Sequence, residues 1–253
     1  MPERTRGAAA LRLFPPPARK AEGDGIYGDL MLPLPASSSR PYVVINMVAS
    51  VDGRSSRSGK ASGIGGEADR RAMRELRSRV DAVMVGAGTL RAEKLDLGLD
   101  DPAAEQPLAL ILCGRGSLPL AERLVESPQE ILLVMSDDST GPRGAVPARA
   151  RILRAPSSAP GRVDLRALLR ALRSEHAVNR LLVEGGPVVN RTLIDEGLVD
   201  ELFVTVAPKL LSGEESSIVA GRAATNEPED LALLSVHASG DELFLRYSLD
   251  RSP

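Results

Sequence analysis

"RLLVEGGPVVNRTLIDEGLVDELFVTVA", residues 180–207, reads as a strand, a turn, a helix and a further strand. The aliphatic run Arg180–Glu184 is strand-length and stops at a double glycine, and Pro187 suits the first turn of a helix. About ten helical residues follow, closed by Gly197, which is free to take the left-handed conformation at a helix end. "ELFVTVAPKLL" (201–211) then returns to the strand pattern. A carboxylate at the end of an aliphatic strand, next to Gly185 and Gly186, is the feature that asks for a function.

Working outward, the same alternation recurs. "YVVINMVA" (42–49), "AVMVG" (82–86), "LALILC" (108–113) and "ILLVM" (131–135) are continuous apolar runs, as strands covered on both faces require. Between the first two, "EADRRAMRELRSRV" places Ala68, Ala72, Leu76 and Val80 on one stripe with Arg70, Arg74 and Arg77 off it, a surface helix. "VDLRALLRALRSEH" (163–176) puts Leu165, Leu168, Leu169 and Leu172 on one side. After residue 200 the segments "ELFVTVAPKLL", "LALLSVHAS" and "ELFLRYSL" have no clear helix between them and read as antiparallel strands finishing the sheet. The expectation is an α/β fold with a mostly parallel central sheet: one domain over 40–253, preceded by a partly ordered arm over 1–39. Residues 94–107, 136–149 and 212–230 read as surface loops.

Composition narrows the function. Lys and Arg total 32 against 34 Asp and Glu with no densely basic window, so the electrostatic footprint of a nucleic-acid binder is missing. Aromatics are 2% of the chain, which leaves no platform for base stacking. Cys113 is the single cysteine, and His176 and His237 are the only histidines, so neither a disulfide nor a His/Cys metal site is expected, and the cytoplasm is the expected compartment. The first twenty residues combine arginines with a short apolar stretch that ends in three consecutive prolines, unlike a secretory leader or a membrane span.

Two strand-to-helix turns share a logic. In Gly86-Ala87-Gly88-Thr89 and Gly185-Gly186-Pro187 the glycines let backbone N–H groups approach a phosphate, and the following helix N-terminus favours negative charge. Either could equally be a plain tight turn, but two in one α/β domain raise the weight of the phosphate reading. The first is no Rossmann fingerprint, since the third glycine position holds Arg91.

Taken in order, "INMVASVDG" (45–53), "EADRRAMRELRSRVDAVMVGAGTL" (67–90), "LVEGGPVVNRTLIDEGLVDEL" (182–202) and "VAPKLLSG" (206–213) resemble the reductase domain of the riboflavin-biosynthesis deaminase/reductase family and its stand-alone pyrimidine reductases, over residues 42–249. The resemblance implies a three-layer dihydrofolate-reductase-like fold, a homodimer, and NADPH-dependent reduction of the ribose of a 5-phosphoribosylamino-pyrimidine, of the 5-amino-6-(5-phosphoribosylamino)uracil type. By position it implies cofactor contacts from Val48, Ala49, Gly86, Gly88, Thr89, Glu93, Gly114, Arg115, Gly185, Gly186, Pro187, Val188, Val189 and Asn190. Glu184 and Arg77 would face the substrate, with Arg77 as a phosphate or ribose clamp; Glu184 and Asp52 would be catalytic.

Departures from the family pattern fall in "GTLRAEKLDLGLD" (88–100), where Glu93 stands for the family's aspartate and the following Pro and Arg are missing, so Lys94 is the candidate for a rebuilt phosphate contact. Cys113-Gly114-Arg115 replaces an Asp-Ser, and Arg115 and Arg91 are the candidate cations for an adenosine 2′-phosphate. The family's zinc deaminase signature, H-x-E with P-C-x-x-C, does not occur in these residues. Two other readings stay open: a dihydrofolate or pterin reductase of the same fold, and an NADPH-binding module without turnover.

Overall fold

The computed structural model describes residues 10–21, 25–35, 39–93, 96–115, 124, 126–142, 146, 148–212, 216–220 and 229–249. Its centre is a parallel sheet in the order β11 (Glu201–Ala207), β3 (Tyr42–Ser50), β10 (Arg180–Val183), β4 (Ala82–Gly86), β5 (Leu108–Gly114), β6 (Ile131–Ser136) and β7 (Ala150–Ala155). Beyond β11 the sheet continues antiparallel through β13 (Glu242–Ser248), β12 (Ala232–Ser239), β1 (Leu11–Phe14) and β2 (Arg19–Lys20). A small hairpin, β8 (Ser157–Ala159) and β9 (Arg162–Val163), stands apart.

Helices cover both faces of the parallel part, giving the three layers expected. On one face α1 (Glu67–Arg77) and α2 (Ala87–Glu93) bury Ala72, Leu76, Ala87 and Leu90 against Val44, Val83 and Val85. On the other, α3 (Leu165–Glu175) and α4 (Pro187–Asp195) pack Leu165, Leu168, Leu169, Leu172, Leu193 and Ile194 against Val43, Ile45, Met84 and Val183. Asp164 caps α3, accepting the Ala167 N–H at 2.9 Å. Each fully buried leucine on these faces stabilises the domain by roughly 2 kcal/mol. No helix among the described residues is long and apolar enough to cross a membrane.

Three features differ from the sequence reading. First, β11 is antiparallel only to β13; it is parallel to β3, because α4 carries the chain from β10 across β3 and returns it in the same direction. Second, β7, "ARILRA", has an exposed, arginine-bearing edge whose pattern is not that of a covered strand. Third, residues ahead of 40 contribute β1, β2 and six buried side chains, Ala10, Ala21, Ile26, Tyr27, Leu30 and Leu32, to the α1 face.

The "GLVDE" segment closes the bottom of the sheet. Arg40 forks onto Asp200 with two bonds of 2.7 Å, and the Val43 N–H donates to the same carboxylate at 2.7 Å. Arg246 forks onto Glu201 at 2.7 and 2.6 Å, with the Tyr42 hydroxyl donating to it at 2.9 Å. These acids fix the starts of β3 and β11, so this part of the motif is architectural.

Candidate active site

The two glycine turns lie side by side where β4 and β10 end. The Gly86 N–H donates to the Gly185 carbonyl at 2.9 Å, and Gly185, at φ +91°, sits where only glycine is comfortable. The Gly185–Gly186 peptide is cis. A Cβ added to Gly186 would lie 3.0 Å from Thr89 Oγ1, and one on Gly86 would lie 3.3 Å from Val189. The turns therefore interlock closely, and a side chain at either glycine would press on its neighbour. Gly186 begins α4 with no side-chain cap, and Pro187 supplies no N–H, so the first turn keeps open backbone donors. Arg91 is exposed, and its guanidinium comes within 4.0 Å of a Cβ placed on Gly88.

Strand alternation sends Glu184 to the α1 face, the side of Leu182. There it meets Arg77. Nε and Nη2 of Arg77 donate to the two Glu184 oxygens at 2.8 and 2.7 Å, and the pair's side chains are only 3% and 6% exposed. Further donors go to the carbonyls of Gly98, at 2.9 Å, and Asp96, at 3.3 Å. Burial opposes the guanidinium's charge, but the Glu184 carboxylate outweighs it and holds the Arg77 pKa above its ordinary value. Arg77 is thus no solvated helix arginine: residues 96–98 cover that side of α1, and four of its five N–H donors are bonded inside the protein. The expectation that Arg77 itself grips a substrate phosphate gives way to a role in fixing Glu184.

Next to this pair the cleft wall is made by β3, β11 and β13. Asn46 and Val48 face the α1 side and stay half-buried in a strand whose neighbours are fully covered. Thr205 pairs with Val48 on one side and Phe244 on the other. Met47 points to the opposite face, and its sulfur lies 3.3 Å from a Cβ built on Gly185; Ala49, also on that face, is buried.

Two acids that sequence reasoning passed over line the same mouth. Glu242, at the start of β13, accepts the N–H groups of Gly66, at 2.6 Å, and Asp69, at 3.3 Å, capping α1 from 173 residues away. Asp69 carries a hydrogen bond from the Thr205 hydroxyl and packs on the Gly65 backbone. Burial, then the nearby charges of Glu242 and Glu184, push the Asp69 carboxyl up to about 6 against the pull of Thr205 and Arg70. In sequence Asp69 is one more polar residue on a helix, and nothing short of the fold brings Glu242 to it.

The other expected residues divide. Asp52 is exposed and bound within its own turn: it accepts the Ser50 hydroxyl at 2.6 Å and the Leu211 and Ser212 N–H groups at 3.1 and 2.9 Å, which lower it to about 2. These bonds hold the turn 50–54 against 209–212, and that is the role the structure shows for Asp52. Glu93 accepts backbone N–H groups of Ala61 and Ser62, tying α2 to the segment ahead of α1. Asn190 is fully buried, its side-chain amide donating to the Ile218 carbonyl at 2.8 Å and its backbone N–H to the Gly186 carbonyl at 3.1 Å. Gly114 sits under the β8–β9 turn, where a Cβ would meet the Gly161 carbonyl at 2.6 Å, with Arg115 lying over Gly161. Val188 is exposed on α4. Lys94 lies outside the described residues.

Comparison with known proteins gives one consistent result. The chain is 29% identical over 217 residues, 83% of its length and 99% of the relative's, to the 2,5-diamino-6-ribosylamino-4(3H)-pyrimidinone 5′-phosphate reductase of Methanothermobacter thermautotrophicus. It is 32% identical over 191 residues to the enzyme of the same name from Archaeoglobus fulgidus, covering 71% of this chain and 86% of that one. Among solved structures, Acinetobacter baumannii RibD superposes with a TM-score of 0.70 at 25% identity over 83% of this chain, which spans 58% of that longer protein. Residues 41–245 match the family described as the RibD C-terminal domain, and the chain belongs to that family.

Proposed function

We propose that the protein is an NADPH-dependent reductase acting on the ribose of a phosphoribosylamino-pyrimidine in riboflavin biosynthesis, 2,5-diamino-6-ribosylamino-4(3H)-pyrimidinone 5′-phosphate or its uracil counterpart. The observation that carries the reading is the convergence, at one strand-end mouth, of two interlocked glycine turns with a buried Arg77–Glu184 pair. What supports a dinucleotide there is that the two glycine turns pack against each other with no side chain between them, and α4 opens beside them without a side-chain cap. Gly86, Gly88, Thr89, Gly185, Gly186, Pro187 and Val189 would hold the pyrophosphate, and Val48 would border the nicotinamide. Arg91, exposed beside Gly88, is the better of the two candidate cations for a phosphate, since Arg115 is folded over Gly161.

When bound, NADPH supplies the hydride that reduces the anomeric carbon. Glu184, its charge fixed by the Arg77 fork, keeps free lone pairs that accept hydrogen bonds from sugar hydroxyls and so orient the ribose. Arg77 acts through Glu184 as a positioning residue.

A homodimer is part of the same reading. On the sheet face away from α1, Leu243 lies opposite Ala238, Leu11 opposite Ala238 and Phe14 opposite Val236; Leu243 is 40% and Leu11 47% exposed. A second copy would cover this apolar face.

The test is direct. Purified protein given NADPH and the pyrimidinone ribosyl phosphate should oxidise NADPH and yield a product two mass units heavier, the ribityl compound. Oxidation with dihydrofolate and not with the pyrimidine would replace this reading by the pterin one, and tight NADPH binding without any turnover would leave only a binding module.

A further inference from the structure

The three carboxylates at the mouth differ in what holds them. Glu184 has the two-pronged Arg77 guanidinium at 2.7 and 2.8 Å, and Glu242 has two backbone N–H groups at the start of α1. Asp69 has neither: among the described residues its carboxyl takes a hydrogen bond from the Thr205 hydroxyl and feels the nearby carboxylates of Glu242 and Glu184. The charged groups that face it are Glu242 from β13, Glu184 from the end of β10 and, on its own helix, Arg70, which is exposed. When carboxylates crowd together, the proton goes to the one with the fewest donors. Asp69 is also the one placed on the cleft wall, with Thr205 beside Val48 and only partial exposure to solvent.

We propose that Asp69 is the proton donor that opens the ribose ring, a role that rests on the reductive reading above. The chemistry needs one. A glycosylamine cannot accept hydride until its C1′–O4′ bond has broken, and an alkoxide is too basic to leave unprotonated. The Asp69 carboxyl O–H breaks and its proton goes to O4′; the C1′–O4′ electron pair stays on that oxygen; the lone pair of the exocyclic nitrogen forms the C1′=N bond. The products of this step are an iminium, a free 4′-hydroxyl and the Asp69 carboxylate. Hydride added to C1′ then returns the electron pair to nitrogen, so one proton and one hydride have been consumed, and Asp69 is reprotonated from water. A carboxyl raised to about 6 keeps an appreciable acid fraction near neutrality, whereas Asp52, at about 2, has none.

The test combines rate, pH and a titration that needs no turnover. Asp69→Asn should lower kcat at least about 100-fold with NADPH affinity within twofold of wild type. Asp69→Glu should recover part of the rate. In the wild type, kcat/KM should fall as pH rises through about 6, and Glu242→Gln, which removes a neighbouring charge, should move that limb to lower pH. Carbon-13 NMR of aspartate-labelled protein should show one carboxyl titrating near that value, absent in Asp69→Asn. Full activity of Asp69→Asn, or a limb unmoved by Glu242→Gln, would overturn the proposal while leaving the reductase reading intact. A wild-type protein that binds the pyrimidine and NADPH but never reduces it would overturn the reductase reading, and this proposal with it.

Discussion

In the parallel half of the sheet β4 and β6 are buried at every position, held between helices on both faces. In the antiparallel half the sense of burial is reversed: Ser235, His237 and Ser239 of β12 point inward, while Val236, Ala238 and Leu243 face outward. The inward polar side of β12 is covered by the segment around Tyr27, whose ring meets His237 edge-on at 5.9 Å. One half therefore gathers its functional groups at the strand ends, since its faces are closed. The other presents a face that no helix among the described residues closes. The candidate site and the proposed contact surface thus lie in different halves of the sheet, and substitutions should affect one without the other.

Breaking the site half should have the largest effect. Arg77→Ala leaves Glu184 buried without its cation and should cost about 3–5 kcal/mol in urea unfolding. Replacing both, Arg77→Met with Glu184→Leu, should recover most of that stability and none of the turnover, which separates folding from function. Next, Gly186→Val brings a side chain against Thr89 Oγ1 and should weaken NADPH binding at least about tenfold by fluorescence titration, with the fold intact. On the other half, Leu243→Lys should shift the sedimentation pattern from dimer to monomer while leaving NADPH affinity within about twofold.

The smallest effect concerns stability against pH. Asp69 binds its proton more tightly folded, at about 6, than in an unfolded chain, where aspartate titrates at about 3.9. Its favourable contribution is full below pH 4 and is lost as pH rises through 6. Asp69→Asn keeps an acceptor for Thr205 and removes the repulsion, so it should raise Tm by about 2–4 °C at pH 7.5 and not at pH 4. A gain of stability together with a loss of rate would mark a strained functional group.

The parallel half was legible because its strands are unbroken aliphatic runs and its helices carry clear stripes; β4 falls where "AVMVG" was read and α4 starts at Pro187. The edges were less so. β7 has arginines at 151 and 154, and β1 lies in a stretch with three prolines, so neither carries the pattern of a covered strand. At the site, the glycine turns and Glu184 could be picked out from residue types at fixed spacing. What Arg77 and Asp69 do could not, since it depends on partners 107 and 173 residues distant. Nor does residue type show that three donors hold the Asp52 carboxylate, two of them from residues 211 and 212.

The central claim is that Glu184, fixed by Arg77 beside the two glycine turns, orients the sugar for reduction. Steady-state oxidation of NADPH with the pyrimidinone ribosyl phosphate, measured for wild type and Glu184→Gln alongside NADPH affinity, tests it most directly. The account predicts a fall in kcat/KM of about 100-fold or more with NADPH affinity unchanged. Equal turnover by the two proteins would contradict it.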